Sequence, residues 1–346
     1  MPLIDFTDRG LHCAPGNFYI DPWRPVENAV ITHAHSDHAR AGSGNYLCHT
    51  FTKPLLEARL GTHRIEATEW GREYDRNGVK VSLHPAGHII GSSQVRVEYK
   101  GEVWVVSGDY KLENDGLSGV FEPIQCNTFI TESTFGLPIY RWESQQKIYA
   151  DIQQWVMQNH KEGVSSVLLA YSLGKAQRIL PCLVETGLPI FAHGAISAMH
   201  DALEAAGFPL PPIQRITPET PKNLIQGNII LAPPGADGSP WINRFHPYEV
   251  GICSGWMQVR GNVRRRNADA GFALSDHADW DGLKAAVRAT GATKVFVTHG
   301  FQSAFSRWLN ENGIAAAEVK TEYSAAEEEA AVLPDETQTT NLNAEL

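Results

Sequence analysis

Ile31-Thr32-His33-Ala34-His35-Ser36-Asp37-His38 decides how this chain is read. Three histidines and an aspartate fall within six positions, directly after an apolar run at 28–32 that reads as a strand. Side chains alternate along an extended stretch, so His33 and His35 point to one side. The turn that follows brings Asp37 and His38 round to the other. One loop can therefore feed two metal centres. Imidazole and carboxylate donors suit zinc, manganese or iron rather than calcium.

Further ligand types stand at the ends of other predicted strands. His88 follows 80–84 in Pro85-Ala86-Gly87-His88, Asp109 closes Val103-Trp104-Val105-Val106-Ser107-Gly108-Asp109, and His299 closes Val295-Phe296-Val297-Thr298-His299. Loops at strand ends are where a rigid scaffold carries function. Asp21, in Tyr19-Ile20-Asp21-Pro22, reads either as a carboxylate standing behind the ligands or as a turn-forming Asp-Pro.

The remaining pattern is α/β. Predicted strands at 28–32, 80–84, 94–99, 102–106, 128–131, 166–170, 189–192, 228–231, 250–253, 272–274 and 294–298 interleave with predicted helices at 53–59, 144–160, 174–185, 195–206, 280–290 and 301–312. The first third is strand-rich. The middle alternates strand and helix regularly, as a doubly wound domain set into a layered one would. With 346 residues, two domains are expected, and 42% hydrophobic with 20% charged residues is a globular composition. No apolar run approaches the roughly 18 residues of a membrane span. The first ten residues carry Asp5 and Asp8 and lack the order of a secretory signal. Five scattered cysteines without a CxxC argue against a disulfide framework and suit a reducing cytoplasm. Most of the formal charge of −10 sits in 322–346, which holds seven acids and no Lys or Arg and reads as a mobile tail.

His33-Ala34-His35-Ser36-Asp37-His38 with His88, Asp109 and His299 resembles the metallo-β-lactamase fold superfamily. The 190 residues between Asp109 and His299 exceed what a simple hydrolase of that fold needs, and resemble the β-CASP nucleases. Thr131-Glu132-Ser133-Thr134-Phe135-Gly136 matches the acidic motif that opens the β-CASP insert. Leu274-Ser275-Asp276-His277-Ala278-Asp279 matches the motif supplying an extra histidine, and Val297-Thr298-His299-Gly300 the last ligand motif. Ala170-Tyr171-Ser172-Leu173-Gly174-Lys175-Ala176-Gln177, Ala232-Pro233-Pro234-Gly235 and Ser254-Gly255-Trp256-Met257 look like the insert's turns. More narrowly, the short chain and Ser275-Asp276-His277-Ala278-Asp279-Trp280 resemble the bacterial ligase-associated DNA damage response exonucleases.

The resemblance implies a metallo-β-lactamase αββα sandwich with an inserted β-CASP α/β domain. It would span 1–135 and 269–320, with the insert at 136–268 and an acidic tail at 321–346. It implies two divalent metal ions, zinc or manganese. His33, His35, His88 and Asp109 would hold one; Asp37, His38, Asp109 and His299 would hold the other, with Asp109 bridging. It further implies hydrolysis of DNA, or of RNA, beside an ATP-dependent ligase and a helicase, with no membrane association. Lactam or thioester hydrolysis is the expectation from another class. His277 is the candidate general acid, with Glu132 raising its basicity. Arg260, Arg264, Arg265 and Arg266 offer four guanidiniums suited to phosphate, or form a solvated basic loop. Lys175 and Arg178 stand at and near a predicted helix N-terminus, as phosphate contacts or as surface residues.

Overall fold

The structure is a computed structural model that describes residues 2–61, 64–259 and 268–319. Arg260, Arg264, Arg265, Arg266 and the acidic tail lie outside the described residues. The chain divides into two compact units. Among the described residues, one takes those up to Gln145, Asp201–Leu210 and 275–319; the other takes Gln146–His200 and Pro211–Leu274.

The first unit holds two sheets. Six short strands, Asp5–Thr7, Gly10–Cys13, Phe18–Ile20, Asn28–Val30, Asn45–His49 and Ile65–Thr68, lie side by side in chain order. The second sheet runs Ala315–Glu318, Lys294–Gly300, Thr128–Ser133, Glu102–Val106, Ser93–Tyr99, Val79–Pro85, Glu73–Arg76. Its first four strands are parallel neighbours and the rest antiparallel.

The two-residue period of this second sheet builds two cores. Trp104, Val106, Ile130 and Phe296 pack against Ile20, Val30 and Leu47 of the first sheet. Their neighbours Val105, Phe129, Val295 and Val297 pack on the opposite face with Trp280, Leu283, Val287, Phe305 and Leu309. Those last five come from two helices, Trp280–Ala289 and Gln302–Glu311. Burial on both faces is why these strands read as unbroken apolar runs. On the first sheet, helix Thr52–Leu60 buries Leu55 and Leu56.

The second unit is built on one six-stranded parallel sheet, ordered Gln214–Arg215, Ile190–Ala192, Ile229–Ala232, Ser165–Leu169, Tyr248–Cys253, Ala270–Phe272. Ile148, Ile152 and Val156 recur every fourth residue of helix Gln145–Glu162 and close its core with Leu168, Ile190 and Leu231. Among the described residues, no helix is long and apolar enough to cross a membrane.

Several predicted elements are corrected. The helix expected at 174–185 is two short ones, Lys175–Arg178 and Leu180–Val184. Pro181 lacks an amide hydrogen and fits only the first turn of a helix, so the chain restarts there. The last strand of the second unit ends at Phe272 rather than beginning there. Ala315–Glu318, which no predicted element covers, is an edge strand. Of the first sheet's six strands, only Asn28–Val30 is matched by a predicted one.

At the end of Lys294–Gly300 the register against Thr128–Ser133 slips, and Ser133 faces Gly300. Gly300 has φ +84°, and a Cβ there would stand 2.3 Å from the Ser133 carbonyl carbon and oxygen. Substituting Gly300→Ala is therefore expected to destabilise the fold by more than about 1 kcal/mol, read as a lower urea midpoint. An unchanged midpoint would mean the backbone yields there.

Candidate metal centre

The ligand types are brought together by the ends of four strands. After Asn28–Val30, His35 accepts hydrogen bonds from the His38 and Ala39 amides at its carbonyl, forming one tight turn. That turn brings His38 back beside His33, ring centroids 4.1 Å apart, and not to the opposite side as the alternation suggested. Asp109 is carried inward by Gly108, at φ +56°, where a Cβ would stand 2.7 Å from the Thr32 Cβ. Ser92 Oγ accepts from the His88 and Ile89 amides, at 3.0 and 3.2 Å, and so clasps the His88 loop. Ser133 Oγ lies 2.6 Å from the His299 carbonyl and holds the other side.

Four donors form the first cluster. His35 Nδ1 lies 3.2 Å from His33 Nε2 and 3.1 Å from His88 Nε2. Asp109 Oδ2 lies 3.4 Å from His33 Nε2 and 3.7 Å from His88 Nε2. Four ligands at about 2.05 Å around a tetrahedral ion stand about 3.3 Å apart, so these spacings fit one divalent cation. The second cluster is His38, Asp109 and His299. Asp109 reaches His299 Nε2 with Oδ1 at 2.8 Å and His38 Nε2 with Oδ2 at 3.4 Å. Asp37 stands beside it, Oδ2 3.5 Å from His38 Nε2. The His/Asp cluster can hold divalent metal.

The outer nitrogens support the same conclusion. Metal-binding histidines donate their other N–H to a carboxylate, carbonyl or hydroxyl, which fixes the tautomer. His38 Nδ1 meets Asp21 Oδ2 at 2.7 Å, His88 Nδ1 meets the Asp276 carbonyl at 2.9 Å, and His33 Nδ1 meets Thr32 Oγ1 at 3.0 Å. Asp21 also accepts from the Thr32 amide at 2.8 Å and hydroxyl at 2.6 Å. The two readings of Asp21 thus coincide: at φ +44° it makes a turn and also stands behind the ligands. Burial pushes the His33 and His88 rings down and keeps them neutral, the form that binds a cation. Burial opposes ionisation of Asp109, yet the facing His38 and His299 hold its carboxyl well below the usual range.

A second pair adjoins the first cluster. The His277 ring centroid lies 4.5 Å from that of His88. His277 Nδ1 reaches Glu132 Oε1 and Oε2 at 3.1 and 3.0 Å. Fully buried Glu132 also accepts from the Tyr110 amide at 2.8 Å. Burial alone would lower the His277 ring; the charge and hydrogen bond of Glu132 outweigh it and lift the ring to about 10.

Other expected residues lie elsewhere. Lys175 and Arg178 belong to the second unit, on a four-residue helix, and both are buried; Lys175 Nζ lies over the Tyr171 ring at 4.7 Å. They are not surface residues of a long helix, because the break before Pro181 folds that segment into the core. Thr32, Arg59 and Asp276 were missed as participants. Arg59 donates to the Ala34 carbonyl and so straps the histidine loop to helix Thr52–Leu60. Thr32 was legible, being the residue before the motif; Arg59 had no local signal.

Asp21→Ala is expected to lower metal affinity about 10–100-fold, measured by competition with a chromogenic chelator. Unchanged affinity would confine Asp21 to its turn.

No protein-family model matches the chain. A protein named "Probable DNA ligase" from Opitutus terrae is 32% identical over 320 residues, 91% of this chain and 31% of that protein. "Endoribonuclease YSH1" from Saccharomyces cerevisiae is 32% identical over 126 residues, 35% of this chain and 16% of that protein. The chain thus spans less than a third of either relative's length. A crystal structure of a protein of unknown function from Enterococcus faecalis superposes with a TM-score of 0.61 at 12% identity, covering 85% of this chain and 79% of that one, which shows a shared fold. With its histidine motif, its layered α/β architecture and these relatives, the chain is a homologue of the β-CASP nucleases of the metallo-β-lactamase fold.

Proposed function

We propose that this chain is a metal-dependent phosphodiester hydrolase acting on DNA, an exonuclease of DNA repair working beside an ATP-dependent ligase. The observation that carries the hydrolase reading is the His277–Glu132 pair standing against a His/Asp cluster with metal-ligand spacing. The second unit is read as the inserted β-CASP domain. The DNA assignment rests on the ligase-named relative, in which a segment like this one makes up about a third of the chain. RNA is the second reading, favoured by the endoribonuclease relative.

His33, His35, His88 and Asp109 would hold one ion, and Asp37, His38, Asp109 and His299 the other, zinc or manganese. Two such ions would supply Lewis acidity and a water acidified to near neutrality. The chain's own residues do the rest. Glu132 fixes Nδ1–H of His277, leaving Nε2 to hand its proton to the departing oxygen. The unpaired cysteines, Cys13, Cys48, Cys182 and Cys253 buried among them, suit the cytoplasmic location we propose. The arginines at 260 and 264–266 are the proposed contacts to the phosphate backbone, and a helicase is the proposed partner in the same pathway; Lys175 and Arg178, buried in the second unit, are withdrawn from that role.

The test is to incubate metal-loaded protein with end-labelled duplex and single-stranded DNA, matching RNA and a chromogenic lactam, with Asp109→Ala as control. Shortening of labelled DNA from one end supports the proposal; lactam turnover without phosphodiester cleavage overturns it. His277→Ala is expected to slow turnover about 10²–10⁴-fold with metal content intact, and loss of metal would make His277 a ligand. Because His277 must carry its proton to act, wild-type turnover should fall as pH rises through the ring's pKa. Cations bound beside the ring would lower that value from about 10. The alkaline limb should vanish in His277→Ala; its persistence would assign the proton to another group.

A further inference from the structure

A general acid is only as good as its aim, and the backbone on either side of His277 is tied down by two different partners. The preceding carbonyl, of Asp276, meets His88 Nδ1 at 2.9 Å, so that side is anchored to the metal cluster. The carbonyl of His277 itself accepts from the indole N–H of Trp142 at 3.0 Å. Trp142 is latched to the same loop a second time, its amide donating to Asp279 Oδ2 at 3.0 Å. Asp279 Oδ1 meanwhile accepts from the Gly282 amide at 2.8 Å and caps helix Trp280–Ala289. The neighbouring Tyr140 carbonyl accepts from the Trp280 amide at 3.0 Å. The indole is propped edge-on by Phe135, ring centroids 4.8 Å apart, and Phe135 in turn lies 6.0 Å from the His277 ring.

We infer that Trp142 is a positioning residue for His277, holding the peptide from which the imidazole is aimed at the leaving oxygen. Glu132 fixes one ring nitrogen, but the direction of Nε2 also depends on where the His277 Cα is held. A cavity of about 210 Å³ lined by Lys111, Glu113, Trp142, Ala278 and Asp279 flanks the loop, so it has room to shift once the indole bond is cut. A displacement of about 1 Å at a reacting group can cost about 10²-fold. The inference rests on His277 acting as general acid, as proposed above.

The test compares wild type, Trp142→Phe, and a chain carrying β-(3-benzothienyl)alanine at 142, which keeps the indole's shape without its N–H. Each acts on two substrates: the nucleic acid that wild type cleaves, and the 4-nitrophenyl ester of thymidine 5′-monophosphate. The nitrophenolate leaves without needing a proton. Both substitutions are expected to lower kcat on nucleic acid about tenfold or more. KM should stay within about twofold, and metal content and the rate on the nitrophenyl ester should be unchanged. Equal slowing on both substrates, loss of metal, or no slowing on nucleic acid overturns the inference. If Trp142→Phe fails to fold, the isosteric chain decides alone. His277→Ala separates the two failures. If it slows both substrates alike, the general-acid reading falls and this inference falls with it. If it spares only the nitrophenyl ester while the Trp142 chains behave as wild type, Trp142 alone is misassigned.

Discussion

A carboxylate in a protein interior must find compensating charge or hydrogen bonds, and Asp109 is such a group, almost wholly withdrawn from water. Its two oxygens face His33 and His38 from the loop after Asn28–Val30, His88 from the loop after Val79–Pro85, and His299 at the end of Lys294–Gly300. Keeping that carboxylate ionised requires those imidazoles, and keeping the imidazoles in place requires the strands that carry them. The sheet ends, the tight turn after His35 and the bulge at Ser133 all serve one convergence. The same convergence leaves lone pairs facing one another at spacings suited to a cation.

The layered fold explains why the convergence is stable. The second sheet buries apolar side chains on both faces, so its strands are fixed in register from two sides. The polar groups of the site stand at strand ends, where the pleat runs out. The outward ring nitrogens of His33, His38 and His88 have partners, so the site's tautomers are determined by the protein before anything binds. Glu132 and His277 extend the arrangement by one more buried charge pair.

What could be read from the sequence follows the range of the interactions. His33 to His38 form a local pattern, and His88, Asp109 and His299 each end an apolar run, so their gathering was legible without coordinates. The helices at 280–289 and 302–311 and the long strands were legible from periodicity. The strands at 5–7, 10–13, 18–20, 45–49 and 65–68 were not, because their short runs owe their conformation to pairing with neighbours more than to any period of their own. Asp276 and Trp142 were illegible as participants for a related reason: their bonds cross 188 and 135 residues and leave no trace in any local window. Pro181 is a local signal for the break inside 174–185, since proline fits only a helix's first turn.

Chain order has a consequence for biosynthesis. His33, His35, His88 and Asp109 are all synthesised before the second unit begins at Gln146, whereas His299 follows that unit's last described strand. The strand bearing it also inserts between Thr128–Ser133 and Ala315–Glu318, so the nascent sheet keeps an open edge until then. The two halves of the centre therefore become available in sequence: the four donors of the first half precede the second unit in the chain, and the half that depends on His299 follows it.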